Sequence, residues 1–273
     1  MKTILLIGAG RMGSAMLSGW LKGLDMSAHF MAIDPNNKPN IGDLVEYPLP
    51  GKQFTYFKSP SEVPKHIKAD AVILATKPQM VADAVKSVRA YVGPNTVLAS
   101  VAAGVPTETI KTAIPGHPAA VRIMPNIGAM VGHSVSAGFA SAEVTPDQKS
   151  LINKLFAAIG VFSWLASEDD LHTVTALSGS GPAYYFALCE AMVVAAQEQG
   201  LAEEVARNLA IGTIVAAGRL LEQTPDPTHL RKTVTSPNGT TAAGLEALGE
   251  DDALVKLAQN TINAAHKRSI ELA

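Results

Sequence analysis

Short, continuous runs of apolar residues recur along the first half of the chain and are separated by segments with helical periodicity. The runs are Ile4–Ile7, Phe30–Ile33, Ala71–Ala75, Thr96–Ser100 and Val121–Met124. Strands that are apolar on both sides are typical of a parallel sheet covered by helices on both faces. The helical segments between them are Ser14–Lys22, Val81–Tyr91 and Thr107–Ala113. This alternation predicts a doubly wound parallel sheet.

Two further strands and a helix extend this first region. Val135–Phe139 and Val161–Leu165 are predicted to close the sheet. Between them, Thr145–Gln148 combines a Thr at the cap, Pro in the first turn and Gln three residues after the cap. That combination predicts a helix that begins with a capping box.

Helical periodicity dominates after about residue 165. The candidate helices are Asp169–Gln199, Ala202–Gln223, Thr240–Leu248 and Asp252–Leu272. Glycine and proline turns separate them. The sequence therefore predicts an α/β fold class: a Rossmann-type nucleotide-binding domain in residues 1–165, followed by an all-α domain in residues 166–273.

The composition bears on partners and location. Of 273 residues, 47% are hydrophobic and only 17% are charged, and a surplus of apolar surface favours a subunit interface. The net charge of −2 argues against binding to nucleic acid or to an anionic membrane. The one cysteine cannot form an internal disulfide, and neither a signal peptide nor a membrane-spanning run is visible. We expect a cytoplasmic protein.

A glycine-rich loop follows the first predicted strand and precedes the first helix. It has the GxGxxG pattern in the context that dinucleotide binding requires, because glycines let the backbone approach a pyrophosphate at a helix N-terminus. The alternative is a tight strand-to-helix turn without a ligand. The candidate cofactor-binding residues of this loop are Gly8, Gly10, Arg11, Met12 and Gly13.

An acidic residue, Asp34, ends the second predicted strand. A carboxylate there can bind the adenosine ribose hydroxyls and would repel a 2′-phosphate, which favours NADH over NADPH. The polar segment 36–38 that follows could still accommodate a phosphate, and Asp34 could also simply cap a turn.

Three more cofactor candidates end other predicted strands. Lys77 and Pro78 follow the third apolar run, at the carboxyl edge where such sheets bind ligands. Asn126 follows Met124 and Pro125 and is a candidate to bind the nicotinamide amide. A solvated lysine and a plain turn are the corresponding structural alternatives.

The segment 233–248, TVTSPNGTTAAGLEAL, has the pattern of an anion site. Ser236–Gly239 forms a predicted turn, and Thr240 and Thr241 begin a helix. The first N–H groups of a helix have no intrahelical acceptor and lie at the positive end of its dipole. This segment can therefore hold a small carboxylate while the glycine loop holds a cofactor.

Six segments together resemble the pyrroline-5-carboxylate reductase family. They are IGAGRMG, ATKPQ, SVAAGV, RIMPN, ALSGSGPAYYFALCEAM and TVTSPNGTTAAGLEAL. The first is shared by many dehydrogenases, whereas the last two are specific to this family. The chain departs from the family pattern at Asn238, where glycine is usual, and at Thr224, where many members carry glutamate. Since Asn is the residue other than glycine that best tolerates a positive φ, the loop conformation can survive.

The resemblance implies an enzyme that transfers hydride from NAD(P)H to the cyclic imine 1-pyrroline-5-carboxylate and produces L-proline. It implies that the helical domain interleaves with that of a second copy in a homodimer, that dimers can build larger rings, and that each active site draws on the neighbouring subunit. The substrate-binding residues would be Ser236, Gly239, Thr240 and Thr241. The substrate carboxylate would rest on the N–H groups of Gly239 and Thr240, and the Thr241 hydroxyl would be the catalytic group at the ring nitrogen.

Two other functions remain open at this point. A hydroxyacid dehydrogenase of the 6-phosphogluconate dehydrogenase-like group is expected to carry a catalytic lysine on a long helix after the nucleotide domain, and Asp169–Gln199 contains no lysine. A non-catalytic nucleotide-binding protein would not need the two threonines of the SPNGTT loop. The histidines lack metal-binding spacing, so no metal is predicted.

Overall fold

The structure, a computed structural model, describes residues 1–36, 39–40, 50–117 and 119–273. Its strands are β1 (Lys2–Ile7), β2 (Ala28–Ile33), β3 (Lys52–Phe57), β4 (Ala69–Leu74), β5 (Val92–Ser100), β6 (Ala120–Met124), β7 (Ser134–Ala140) and β8 (Gly160–Trp164). Its helices are α1 (Arg11–Gly23), α2 (Val81–Ser87), α3 (Thr107–Ala113), α4 (Pro146–Ala157), α5 (Asp170–Val174), α6 (Gly181–Glu198), α7 (Glu203–Gln223), α8 (Pro227–Thr233), α9 (Thr240–Gly249) and α10 (Ala253–Glu271).

The eight strands form one sheet in the order β3-β2-β1-β4-β5-β6-β7-β8. Every pair of neighbours is parallel except β6 and β7, which are antiparallel. The strand order reverses beside β1, and ligands of such sheets bind at the carboxyl ends of the strands near this reversal. The predicted Rossmann-type sheet is confirmed.

Alternate residues of the central strands enter two separate cores. Ile4 and Leu6 of β1 pack with α1 and α4 on one face, whereas Leu5 and Ile7 pack with α2 and α3 on the other. Successive side chains of a strand point to opposite faces, so a strand buried on both faces needs a continuous apolar run. This requirement explains why the runs could be recognised in the sequence.

Helix α1 is fixed tightly against the first core. Trp20 is fully buried, stacks on Phe30, and donates from its indole nitrogen to the carbonyl oxygen of Leu155 at 2.8 Å. A Cβ at Gly19 would lie 2.4 Å from Ile159, so only glycine permits this approach of the helix. The packing holds the N-terminus of α1 at the carboxyl end of β1.

Several local predictions need correction. The predicted helix Asp169–Gln199 is three segments: α5, a π-helical turn at Thr175–Gly179, and α6. Strand β3 and helix α8 were not predicted. Asp252, the predicted first residue of the last helix, precedes α10 and has a positive φ of 59°. The predicted capping box of α4 is confirmed, with reciprocal hydrogen bonds between Thr145 and Gln148.

The chain divides into two compact units. The first comprises Met1–Ser180 together with Ala265–Ala273, and the second comprises Gly181–Ala264. The domain boundary predicted at 165/166 stays a prediction. The two units are defined by contacts within a single chain, and these contacts do not show where the dimerisation domain of an assembled protein begins.

The second unit has almost no core of its own. Among its described residues, Ala206 is the one apolar side chain that is buried. Many large apolar side chains are about half exposed or more, among them Phe186, Met192 and Leu209. Exposed apolar surface of this extent marks an interface with another protein. The helical unit thus requires a partner to bury it.

Candidate functional site

The glycine loop between β1 and α1 is shaped by close backbone packing. Gly8 has a φ of +98°, and a Cβ there would lie 2.6 Å from the carbonyl oxygen of Ala75. A Cβ at Gly13 would lie 2.1 Å from the carbonyl oxygen of Gly8. A Cβ at Gly10 would meet no atom of the described residues within 4 Å. Two glycines therefore allow the turn to form, and the third keeps a space open in front of it.

No protein group in the described part of the chain caps the N-terminus of α1. Gly10 is the cap residue and has no side chain, and the first turn contains no acidic residue. Within the described residues, the N–H groups of Gly10, Arg11, Met12 and Gly13 have no hydrogen-bond acceptor. Unpaired N–H groups at the positive end of a helix dipole attract an anion such as pyrophosphate.

A pocket of about 320 Å³ lies against this loop. It is lined by Ala9, Gly10, Arg11, Ser14, Ala15, Ser18, Asn40 and Met130. Arg11 is exposed and has no carboxylate partner in the described residues. Ser14 donates to the carbonyl oxygen of Ala9 at 2.8 Å and accepts from the N–H of Asn40 at 3.1 Å. Sequence reasoning missed the roles of Ser14, Asn40 and Met130, since each is contributed by packing rather than by a motif.

Asp34 lies at the end of β2 and supports the loop. Its Oδ2 accepts from the N–H of Ala9 at 2.8 Å, and its Oδ1 accepts from the N–H of Asn36 at 2.8 Å. The residue is 8% exposed. Asp34 thus caps the turn that follows β2, as the structural alternative predicted, and in addition ties that turn to the glycine loop.

The remaining cofactor candidates differ in their surroundings. Lys77 and Pro78 are exposed at the carboxyl end of β4, where Lys77 precedes a 3₁₀ turn. The neighbouring Thr76 has a buried hydroxyl oxygen with no hydrogen-bond partner in the described residues. An unpaired buried hydroxyl is costly, and a hydrogen-bonding ligand at this edge of the sheet would supply the missing partner.

Asn126 follows β6 and performs a structural task. Its Oδ1 accepts from the N–H groups of Gly128 and Val135, both at 3.1 Å, and its Nδ2 donates to the carbonyl oxygen of Ser178 at 3.0 Å. The side chain thus connects the 3₁₀ turn Ile127–Val131, strand β7 and the π-helical turn. The second hydrogen of its Nδ2 makes no hydrogen bond within the described residues.

The small residues at the π-helical turn serve close packing. A Cβ at Gly179 would lie 3.0 Å from the side chain of Met124, and the N–H of Ser180 donates to the carbonyl oxygen of Thr175 at 2.9 Å. Such π-helical turns interrupt helices frequently at functional sites. Here the turn presents the Ser178 carbonyl to Asn126.

His172 packs against the C-terminal residues. Its Nδ1 is 2.9 Å from the Ser269 hydroxyl, and its ring makes an edge contact with His266. Burial, followed by the nearby charges of Arg122 and His266, holds the pKa of His172 below its usual value. The structure therefore gives this histidine a role in holding residues 265–273 within the first unit.

The predicted anion site in the second unit has the expected turn. Asn238 has a φ of 59°, which confirms that this residue adopts the conformation that would ordinarily favour glycine. The N–H of Gly239 donates to the carbonyl oxygen of Ser236 at 3.1 Å. The prediction that the Gly239 N–H binds a carboxylate therefore conflicts with the geometry, because the turn already uses that group.

The three backbone amides that follow Gly239 differ from it in having no partner in the turn. The N–H groups of Thr240, Thr241 and Ala242 have no acceptor within the described residues, and the first amide to pair inside α9 is that of Ala243. The hydroxyls of Thr240 and Thr241 are also unpaired there, and both residues are exposed. Three amides and two hydroxyls are therefore available to one small anion.

Two features of the described residues bear on membrane proteins and metalloproteins. No helix among them is long and apolar enough to cross a membrane. No group of three or more His, Cys, Asp or Glu side chains in this part of the chain is placed to hold a metal ion.

Two family models match the chain. Residues 168–272 match the model described as pyrroline-5-carboxylate reductase dimerisation, and residues 4–135 match that of ketopantoate reductase PanE/ApbA. The first match covers the helical region whose apolar side chains are exposed in the single chain. The fold is thus an N-terminal nucleotide-binding domain followed by a helical dimerisation domain.

Individual proteins give the same result over the whole length. Pyrroline-5-carboxylate reductase 2 of Bacillus subtilis is 35% identical over 276 residues, which cover 100% of this chain and 95% of that protein. A pyrroline-5-carboxylate reductase structure from Coxiella burnetii superposes with a TM-score of 0.85 at 31% identity and covers 99% of this chain and 98% of that one.

A more distant structure shares the fold. The pyrroline carboxylate reductase of Plasmodium falciparum, solved with NADP bound, has a TM-score of 0.78 at 24% identity, covering 99% of this chain and 98% of that one. The full-length relatives at more than 30% identity decide the assignment. The chain belongs to the pyrroline-5-carboxylate reductase family.

Proposed function

We propose that this chain reduces the C=N bond of 1-pyrroline-5-carboxylate and releases L-proline. As a member of the family, it is an NAD(P)H-dependent oxidoreductase of proline biosynthesis. The observation that carries our assignment of its site is the start of α9, where unpaired amides and threonine hydroxyls follow one tight turn.

The glycine loop fits the pyrophosphate of a dinucleotide. Its unpaired N–H groups and the open space at Gly10 supply the donors and the room, and Arg11 supplies a positive charge. Lys77, Pro78 and the remaining hydrogen of Asn126 are proposed contacts at the same carboxyl edge of the sheet. When bound, the cofactor supplies the hydride from its reduced nicotinamide ring.

The start of α9 would hold the substrate carboxylate. We assign the carboxylate to the N–H groups of Thr240, Thr241 and Ala242, with the Ser236 hydroxyl as a further donor. Gly239 contributes by shape, because a Cβ there would lie 3.2 Å from the carbonyl oxygen of Ser236. An oriented anchor of this kind limits the positions of the reacting ring.

Thr241 would hold the ring nitrogen through its hydroxyl. In the overall reaction the hydride joins the imine carbon, the C=N π bond opens, and a proton ends on the nitrogen. Since an imine can take its proton from water before it reacts, the protein is not required to supply a strong acid. The task of Thr241 is then to orient the nitrogen and to stabilise its protonated form.

We infer that NADH is preferred over NADPH. The support is the carboxylate of Asp34, which lies within hydrogen-bond distance of the glycine loop and would repel a 2′-phosphate. Comparison of kcat/KM for the two cofactors tests this inference, and a higher value with NADPH would overturn it.

The helical domain would pair with that of a second copy. The support is the exposed apolar surface of residues 181–264, which only a further apolar surface can bury. We propose an interleaved homodimer and, beyond it, a ring of dimers. The cytoplasmic location expected from the sequence stays a prediction.

A direct assay tests the proposed function. Purified protein is supplied with 1-pyrroline-5-carboxylate and NADH or NADPH, and cofactor oxidation and proline formation are measured together. We expect one proline for each cofactor oxidised, and the reverse reaction with proline and NAD(P)+ at alkaline pH. A folded sample that binds NADH yet reacts in neither direction would overturn the assignment.

A further inference from the structure

The 3₁₀ turn after β6 exposes large apolar side chains beside the glycine loop. Three of its five residues are large, apolar and exposed: Ile127 at 49%, Met130 at 60% and Val131 at 73%. A single exposed apolar side chain needs no explanation, but a group of them on one short turn marks a contact surface. Of the three, Met130 alone lines the pocket of the glycine loop.

The position of Met130 is determined by its neighbours. Ala129, one residue before it, is 3% exposed and packs in the core that includes α1. A Cβ at Gly128 would lie 2.3 Å from the carbonyl oxygen of His133, and the side chain of Asn126 caps the turn. Gly132 ends the turn with a φ of +75°. The restraints at Gly128, Ala129 and Gly132 lie on both sides of Met130 and limit the position of its Cα.

The lining of the pocket combines two chemically different kinds of group. The Ala9–Gly10 segment and the charged side chain of Arg11 suit a pyrophosphate. The thioether side chain of Met130 lies on the lining as well, and it is flexible, polarizable and apolar. A dinucleotide presents both kinds of surface, since apolar ribose carbons flank its charged pyrophosphate.

We propose that Met130 is a cofactor-contact residue that packs against the apolar part of the dinucleotide beside the pyrophosphate. This inference rests on the proposed function, because it requires NAD(P)H in the glycine-loop pocket. Removal of the contact should weaken NADH and NADPH to a similar extent, since both share these atoms. The contact adds affinity without discriminating between the two cofactors.

The test measures cofactor affinity directly, by nucleotide fluorescence or calorimetry in the absence of substrate. We expect Met130→Ala to raise the Kd of both cofactors about three- to tenfold, as loss of one buried apolar contact does. Met130→Leu should stay within about twofold of the wild type because it conserves volume and apolar character. Met130→Glu should raise the Kd most, because it places a carboxylate beside the pyrophosphate site. Added salt should reduce this increase in Kd, since salt screens the repulsion between the two negative charges.

Val131 provides the matched control. It is the next residue on the same turn, it is more exposed, and it does not line the pocket. Val131→Ala and Val131→Glu should leave cofactor affinity within about twofold of the wild type, as surface changes away from a ligand do. All variants should keep the wild-type melting temperature within a few degrees, because both side chains are exposed in the chain.

The outcomes separate this inference from the proposed function. A wild-type protein that binds neither cofactor overturns both. A wild type that binds NAD(P)H and a Met130→Ala variant that binds equally well overturn only the role of Met130. Variants that change the oligomeric state while cofactor affinity is unchanged would also overturn it, since the turn would then be covered by a second copy.

Discussion

At the scale of single residues, the structure separates groups available to a ligand from groups used by the fold. The hydroxyls of Thr240 and Thr241 are unpaired within the described residues, whereas the N–H of Gly239 and most of the Asn126 side chain are engaged. The sequence predicted the turn, but it could not show that the Gly239 N–H is used within that turn.

Thr241→Ala tests the catalytic assignment at this scale. We expect kcat to fall about tenfold or more, the range of a lost hydrogen bond to a charged group, with the Kd for NADH unchanged. Steady-state kinetics and a separate binding titration measure the two quantities, and Thr241→Ser should retain much of the activity. Full turnover in Thr241→Ala would remove this residue from the mechanism.

Asp34→Asn tests whether the charge at the end of β2 selects the cofactor. An asparagine can still accept from one of the two amides now paired with the carboxylate, but it carries no charge. We expect weaker binding of both cofactors and a fall of about tenfold or more in the preference for NADH over NADPH. Equal losses of affinity for NADH and NADPH would give Asp34 only the structural role of holding the loop. Asp34→Ala removes both hydrogen bonds of the carboxylate and therefore shows how much affinity depends on that structural role.

At the scale of elements, the most informative unit is the loop between β1 and α1. Its glycines look alike in the sequence, yet the structure assigns them different tasks. Gly13 has no room for a side chain, whereas Gly10 faces open space. The pattern of glycines predicted the element, and only the packing shows what each glycine does.

Alanine substitutions should separate these two tasks. Gly13→Ala should destabilise the protein by about 2 kcal/mol or more, because its Cβ would overlap the Gly8 carbonyl. Gly10→Ala should leave the free energy of unfolding nearly unchanged and weaken NADH binding about tenfold or more, because its Cβ would enter the space meant for the cofactor. Denaturant titration and NADH titration of the same samples distinguish the effects. A stable Gly13→Ala or a Gly10→Ala that binds normally would contradict this division.

At the scale of the whole molecule, the two compact units differ in how they are stabilised. The first has two cores on the faces of its sheet, whereas the second has a single buried apolar side chain among its described residues. Helices without a core of their own require association for stability. Folding of the helical region should therefore depend on protein concentration.

A charge placed on the exposed apolar surface should break this association. Leu209→Glu, on α7, should raise the dimer dissociation constant about 100-fold or more, because a buried uncompensated carboxylate costs about 3 kcal/mol or more. Analytical ultracentrifugation and concentration-dependent melting measure the effect. Val161→Glu introduces the same charge at a comparably exposed site, 64% against 57%, in the first unit and should leave the dimer intact. A dimeric Leu209→Glu variant would place the interface elsewhere.

The amino-acid sequence by itself determined the alternating core strands, the capped start of α4, the glycine loop and the SPNGTT turn. Each depends on local patterns, because burial on both faces, helix capping and a positive φ all restrict residue type. Only the tertiary structure decided the rest: the edge strand β3, the π-helical break before α6, the engaged amide of Gly239, and the placement of Met130 beside the glycine loop. Strand β3 and the position of Met130 depend on groups that meet across long separations in the chain. The π-helical turn and the Gly239 amide depend on the detailed backbone geometry of short segments. Local residue preferences encode neither.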